Sequence, residues 1–400
     1  MTAVLGTRIN RVKYTPAELV GVWFLAGFMF AGFFSLPISG RMPMLAVSLL
    51  GGTSILFYTK EQLGRIRLSL PIIGMLTWTV MSILWSTAPW RSTLSVEFYG
   101  LTTIAMICVV SVMSFELIIK GLLKGIYGTV VLTCASLVIA PGTTMVDSNG
   151  YRSIHGWFFH KNSMAPYMVM AIAFTVALEK RPRVRFWMTF LASALIIGSL
   201  SATGLIGLVV VVGFDYMVRH LSTADRARRA TMVFSAMALS VLLTFFTTTF
   251  LPQIVGVYGK DTTFSGRTLI WRSVWQAILR RPITGYGLDA AFQGPSELVN
   301  TFYTEIGFVP AHAHNGILDV ALGLGLVGAV LALWCFLSVW RGSWRYASEG
   351  VAFARVMFVI TSAILIMSIT ESMLGWPTVL LMFTFRIVLL RWRAGEPVPR

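Results

Sequence analysis

Asn315-Gly-Ile-Leu-Asp-Val-Ala-Leu-Gly-Leu-Gly-Leu-Val-Gly-Ala-Val-Leu-Ala-Leu-Trp-Cys-Phe-Leu-Ser-Val-Trp340 decides the fold class. A helix that crosses the hydrocarbon core of a bilayer needs about 20 mostly apolar residues. This stretch exceeds that length, and Asp319 is its one charged residue. Working outward, comparable runs occupy 19–38, 42–59, 70–87, 98–116, 121–140, 164–179, 186–201, 203–219, 230–250, 352–372 and 376–392. They predict an all-α polytopic membrane protein with about 12 transmembrane helices, a single integral membrane domain over residues 1–400. Between the seventh and eighth runs lies only Ser199-Leu-Ser-Ala-Thr-Gly204, so one long kinked element is the alternative there.

Composition agrees. The chain is 56% hydrophobic and only 12% charged, and its mean hydropathy is +0.76. Soluble domains carry about 25% charged residues, so lipid is the solvent for most of this surface. The formal net charge of +16 fits the Lys and Arg excess of cytoplasmic loops and does not call for nucleic acid. Cys108, Cys134 and Cys335 lie inside apolar runs, with neither a disulfide framework nor metal spacing. A basic stretch, Arg8 to Lys13, precedes the first apolar run, and no small-residue cleavage signal follows it. We expect a retained first helix.

Charge placement supports the count. With the N-terminus inside, the inside segments hold Lys60, Arg65, Lys120, Lys124, Lys180, Arg181, Arg183, Arg219, Arg341 and Arg345, among others. The short outside loops hold only Arg41, Arg91, Arg152 and Lys161. That alternation follows the positive-inside rule and predicts a multi-pass protein with both termini cytoplasmic. A large loop, 251–313, falls outside between helices 9 and 10; a shorter one covers 141–163. Four of the five histidines sit in these loops or at their edges, with His220 the exception.

Within the large loop, residues 265–282 read as an amphipathic helix, with Trp271, Val274, Trp275 and Ile278 at helical spacing. An interfacial helix with Trp at headgroup level is the plain reading. Arg267 stands in its first turn, where the helix dipole disfavours a cation. It therefore predicts an anion nearby. The loop then runs through His312-Ala-His-Asn-Gly316 into the quoted span. If that segment is helical from its start, His312, Asn315 and Asp319 share a face, while His314 lies opposite. The shorter loop ends in His160-Lys-Asn162, which offers several donors to a phosphate or sugar. Glu371 is placed at the outside end of its helix, and Asp215 near a cytoplasmic end, where solvation is expected. The chain contains neither a D-x-D pair nor a Walker sequence. An outside site without nucleotide machinery needs an energised substrate already in the membrane.

These residues resemble the O-antigen ligase and polymerase superfamily, of the Wzy type and ExoQ type. The resemblance rests on His314-Asn315 followed, after nine residues, by Gly325; on Ser265-Gly-Arg-Thr with Trp271; on the turn Pro282-Ile-Thr-Gly-Tyr-Gly287; and on His160-Lys-Asn162. Motifs match over about 155–165 and 264–330, and topology over most of the chain. Relatives carry Arg or Lys in the turn between helices seven and eight, and here that turn has neither. Lys161 or Arg152 would have to substitute.

The resemblance implies a bacterial inner-membrane glycosyltransferase that uses polyprenyl-diphosphate-linked glycan on the periplasmic face. It needs no cofactor and no metal, and works in exopolysaccharide or O-antigen synthesis, as a polymerase in preference to an O-antigen ligase. Implied partners are the lipid-linked glycan, the bilayer, and a chain-length regulator or flippase of the same pathway. Chemistry and resemblance together nominate His314 and Arg267 for catalysis. They nominate Asn315, His312, Lys161, Asn162, His160, Arg152, Trp271 and Glu371 for substrate binding. Periodicity favours His312 as the base, and the family spacing favours His314. The competing function is a polysaccharide or lipid-linked oligosaccharide transporter or flippase. Such proteins bind at midplane on broken helices of repeated halves.

Overall fold

The computed structural model describes residues 14–31, 42–148, 151–221, 267–293 and 296–398, with scattered positions from 225 to 242. Most of the expected span at 230–250, and residues 251–266 with Ser265, lie outside the described residues. The first described elements are α1 (Pro16–Ala31), α2 (Met42–Ile55), the single turn α3 (Lys60–Leu63), α4 (Leu70–Met81), α5 (Pro89–Val112), α6 (Phe115–Ile139) and the short α7 (Pro141–Thr144). A hairpin of β1 (Met145–Ser148) and β2 (Tyr151–Ile154) pairs antiparallel, Asp147 opposite Arg152. It is the one departure from the all-α expectation among the described residues. Then come α8 (Lys161–Leu178), α9 (Pro182–Gly198), α10 (Ala202–Leu221), α11 (Arg267–Arg280), α12 (Glu297–Ile306), α13 (Gly316–Ser348), α14 (Ala352–Met367) and α15 (Trp376–Arg393).

Four of these helices, α5, α6, α10 and α13, are long and apolar enough to cross a membrane; α1 and α14 are shorter apolar helices. Outward-facing Trp23, Val138, Phe186, Trp187, Phe190 and Val212 are more than half exposed. That surface suits lipid better than water. In lipid, close packing of backbones replaces the hydrophobic drive. At Gly125 of α6 a Cβ would come within 2.3 Å of the Ala26 carbonyl oxygen of α1. The glycine lets these two helices touch. α15 runs down the middle, buried nearly all round from Thr378 to Trp392, against α5 and α13.

Several predicted ends move. α5 begins at Pro89, nine residues before the expected 98, because proline sits well at the first helical turn. α9 and α10 are two helices, separated at Ser199–Ser201, with Leu200 in the left-handed region at φ 51°. α14 stops at Met367, so Glu371 sits in the turn after the helix. Asp215, expected to be solvated, accepts from Arg219 at 2.7 Å and forms an ion pair with Arg355 at 3.0 Å. α11 is amphipathic as predicted. Yet its apolar residues Ile270, Val274, Ala277 and Ile278 are buried in a cluster with Leu298 and Phe302 of α12 and Ala321 and Leu322 of α13. Protein covers the face expected to lie on the leaflet.

The quoted stretch is itself broken. Gly325, inside α13, has φ 70° and ψ −179°. A break at membrane depth is tolerated only where its backbone groups are satisfied inside protein. Here the turn Pro282–Gly287 satisfies them. Tyr286 N donates to Leu322 O at 3.0 Å, Gly287 N to Gly323 O at 2.8 Å, and Leu326 N to Pro282 O at 2.7 Å. Trp78 Nε1 donates to Leu324 O at 2.7 Å. A Cβ on Gly325 would stand 1.9 Å from the Ile283 carbonyl oxygen. Gly325, which follows His314-Asn315 after nine intervening residues, is therefore the residue that lets the large loop dock on the broken helix.

Candidate functional site

The start of α8, the α9–α10 turn, the start of α11, the segment before α13 and the α14–α15 turn meet at one end of the bundle. Glu371 is where they join. Its side chain is only 5% exposed. Oε1 accepts from Arg267 Nη2 at 2.6 Å and from Asn162 Nδ2 at 2.7 Å. Oε2 faces His314 Nδ1 at 3.3 Å. The anion expected beside Arg267 is thus a residue of the chain. Ser201 of the α9–α10 turn donates to Asn162 Oδ1 at 3.0 Å. Thr203 of α10 pairs with the Thr370 hydroxyl at 3.3 Å. Arg267 Nη1 donates to the Thr370 carbonyl at 2.6 Å. Arg267, 15% exposed at its side chain, keeps further N–H donors beyond these two bonds.

Residues 312–315 are not helical, and α13 starts at Gly316. The shared helical face of His312, Asn315 and Asp319 is therefore not formed. The reason is a set of local bonds that compete with helix. Asn315 caps α13, its Oδ1 accepting from Ile317 N and Leu318 N, while its Nδ2 donates to Ile369 O at 3.1 Å. Asp319 Oδ1 accepts from Ala313 N at 2.6 Å. Trp271 Nε1 donates to Ala313 O at 2.9 Å, so this indole pins the histidine loop. His314 is left with φ 52°, a conformation uncommon for a side chain of its size and held by these neighbours.

The two histidines, with rings 4.0 Å apart, have different roles available. His312 Nδ1 accepts from the His314 backbone N–H at 3.2 Å and lies 3.1 Å from the Ser372 hydroxyl. Its lone pair is already used. Burial, reinforced by His314, pushes its pKa down to about 4, so it is neutral near pH 7. His314 presents Nδ1 to a carboxylate instead. In the tautomer with Nδ1–H toward Glu371, Nε2 keeps its lone pair and can take a proton, the arrangement of a general base held by an acid. The side chain is 27% exposed.

His160 caps α8, its Nδ1 accepting from Asn162 N at 3.2 Å. Burial lowers its pKa, with Glu371 pulling the other way. Lys161 is half-buried in the first turn of α8, and Arg152 is exposed on β2. Among the described residues no group of three His, Cys, Asp or Glu side chains could hold a metal ion. Asn162 and Glu371, with His312, Ser372 and Pro377, line a cavity of about 230 Å³. A larger one of about 360 Å³ lies across His312 and Ser372, toward Tyr99, Asp289 and Trp376.

Sequence reading placed Arg267, His314, Asn162 and Glu371 on one side and the structure joins them. It missed Ser201, Thr203, Thr370 and Ser372. The family resemblance implies a cation in the α9–α10 turn, which has none; its Ser201 hydroxyl carries the contact to Asn162. Hydroxyls have no sequence pattern of their own, so only their neighbours expose them.

A profile described as O-antigen ligase matches residues 167–333. The chain is 25% identical over 355 residues to the exopolysaccharide production protein ExoQ of Rhizobium meliloti, covering 84% of this chain and 79% of that one. Over 70 residues, 17% of each chain, it is 37% identical to a protein of Rickettsia conorii named "Putative polysaccharide ligase".

Proposed function

From its place as an ExoQ-like member of the O-antigen ligase and polymerase superfamily, we propose that the chain transfers oligosaccharide from a polyprenyl-diphosphate carrier to a sugar hydroxyl. The convergence of Arg267, Glu371 and His314 carries this reading. His314 Nε2 removes the proton of the acceptor hydroxyl. The oxygen then attacks the anomeric carbon, whose bond to the diphosphate oxygen breaks. Charge grows on the departing diphosphate, and the remaining Arg267 donors stabilise it. Lys161, beside Asn162 at the start of α8, serves as the second cation, with Arg152 of β2 as the alternative. Glu371 holds both catalytic side chains in register and keeps Arg267 from collapsing onto the substrate alone. His312 and Asn315 shape the loop, Trp271 fixes its height, and Asn162 with His160 forms the wall toward α8.

The reaction needs no metal in this scheme, because a guanidinium replaces the Lewis acid. Full turnover in EDTA is the expected result, and loss restored by a divalent ion would count against it. The enzyme has twelve spans with both termini cytoplasmic, and residues 251–313 face the periplasm of the inner membrane. Cysteine labelling at Lys260 and Arg183 from opposite sides tests that placement. Polymerisation is favoured over ligation on motif resemblance alone: Ser265-Gly-Arg-Thr with Trp271, the turn Pro282–Gly287 and His160-Lys-Asn162 resemble the exopolysaccharide polymerase branch.

The broken helix at Gly325 is the feature that would suit a transporter. Its freed carbonyls at Leu322, Gly323 and Leu324 accept from Tyr286, Gly287 and Trp78, so docking of the large loop accounts for the break without a transported solute. The deciding experiment is glycan formation from purified lipid-linked oligosaccharide. His314→Ala should give no product at normal protein level, and His312→Ala should retain most of the rate. Full activity of His314→Ala beside a dead His312→Ala would reverse the assignment.

A further inference from the structure

The cavity of about 360 Å³ is lined on one side by Arg91 and Tyr99 of α5, on another by Gly287, Asp289 and Gln293, and below by His312, Ser372 and Trp376. Its volume falls within the roughly 300–1,000 Å³ of small-molecule sites. Arg267, His314 and Glu371 are not among its lining residues, but His312 and Ser372 line both it and the cavity on the Glu371 side. It is thus a neighbour of the proposed transfer site with a shared wall.

The lining chemistry is specific. Tyr99 stacks on Trp376 with ring centroids 5.3 Å apart at 29°, giving an aromatic wall. Asp289 holds a left-handed backbone, φ 54°, and its Oδ2 accepts from Ser95 at 2.8 Å. Arg91 Nη2 donates to Gln293 Oε1 at 3.1 Å. An acyl chain here would lie against the Asp289 carboxylate and the Arg91 guanidinium and fill none of their remaining hydrogen-bonding positions. A phosphate or carboxylate would meet Asp289 and Asp319 against a single cation, Arg91. An uncharged ring with apolar faces and many hydroxyls satisfies both kinds of wall.

We propose that this cavity binds an uncharged sugar residue of the accepting glycan, with Tyr99 and Trp376 against the ring and Arg91, Asp289 and Gln293 on its hydroxyls. It sets the acceptor on the far side of His312 from the donor's diphosphate, so that the acceptor hydroxyl reaches the histidine loop from below. The inference rests on the transfer reaction proposed above, and its test separates the two.

The probe is the free oligosaccharide released by mild acid from the lipid-linked glycan of producing cells. Saturation-transfer NMR is run on the purified full chain in nanodiscs, without donor. Wild type and His314→Ala should both bind it, and Asp289→Asn with Gln293→Ala should weaken binding at least tenfold. In turnover assays the same pair should raise the acceptor KM at least tenfold and leave the donor KM unchanged. Arg91→Ala, an exposed rim substitution, serves as the second variant should the pair fail to fold, with a weaker shift in the same direction. Binding that depends on these residues in a protein with no transferase activity would uphold the sugar site and sink the transfer reaction. Wild-type binding that is absent, or unchanged by the variants, or a rise in donor KM instead, would overturn the site while leaving the reaction standing.

Discussion

Both ends of this helical bundle carry ion pairs, but they are built differently. At one end Glu371 joins Arg267, His314 and Asn162, which lie 104, 57 and 209 residues away in sequence. At the other, Arg391 binds Glu396 five residues on, and Arg181 binds Glu179 two residues back. Arg391 also gives Nη1 to Val110 O and Met113 O, both at 2.7 Å, closing the end of α5. Nearly all its donors are used within the protein. Arg267 uses two. The local pairs finish helix ends and are complete without a ligand. The long-range cluster fastens five chain segments, and its cation, base and polar wall remain able to act on something else. A saturated buried pair is a structural device, whereas an unsaturated one is a candidate site.

Breaking the support beneath the long-range cluster should give the largest effect. Gly325→Ala forces a Cβ into the Ile283 carbonyl at a left-handed position, a loss expected to exceed about 4 kcal/mol. The variant should yield little monodisperse protein on size exclusion; a well-folded variant would mean that the turn and the break are not coupled.

Next is the hub itself. Glu371→Ala strands the guanidinium of Arg267 and should cost about 3–5 kcal/mol. Glu371→Gln keeps the shape but loses the charge that holds His314, so kcat should fall about 100-fold or more with a small change in Tm. Equal losses of Tm in both variants would make the cluster a structural device like its counterpart.

At the opposite end the split should invert. Arg391→Ala removes bonds to two carbonyls and a carboxylate and should cost about 2–3 kcal/mol, while turnover per folded molecule stays within about twofold of wild type. A collapse in kcat without a fall in Tm would erase the distinction between the ends.

At neutral pH the mildest change is at His312, whose effect emerges only in acid. His312 titrates at about 4 in the folded chain and near 6.5 when unfolded. Between those values the unfolded chain binds the extra proton, so folding stability falls as pH drops from about 6.5 to 4. His312→Gln should flatten that part of a Tm-against-pH curve, and an identical slope would show that the imidazole is not held neutral.

Much of the fold was legible. Apolar run lengths located α5, α6, α8, α9, α10, α13, α14 and α15, because a helix in lipid needs length and hydropathy more than any particular neighbour. Ends were less legible: Ser368-Ile-Thr-Glu-Ser372 has no glycine or proline to mark a stop, so the sequence puts Glu371 at the end of the span, whereas α14 ends at Met367. The site was half legible. Arg267 was found because a cation in a first turn is out of place, and His314 because of its spacing to Gly325. Ser201, Thr370 and Ser372 could not be found that way.

Sequence by itself determined that this chain lives in lipid, that it crosses repeatedly, and that chemistry-bearing residues collect in two loops at one end. These are properties of composition and period, which each segment expresses alone. Tertiary structure decided which histidine has a free lone pair, that Glu371 is the anion facing Arg267, and that the helix breaks at Gly325 to receive the Pro282–Gly287 turn. Each of those depends on a hydrogen bond between groups distant in the chain. Only folding brings such partners within about 3 Å, where a bond's direction selects a tautomer or a kink.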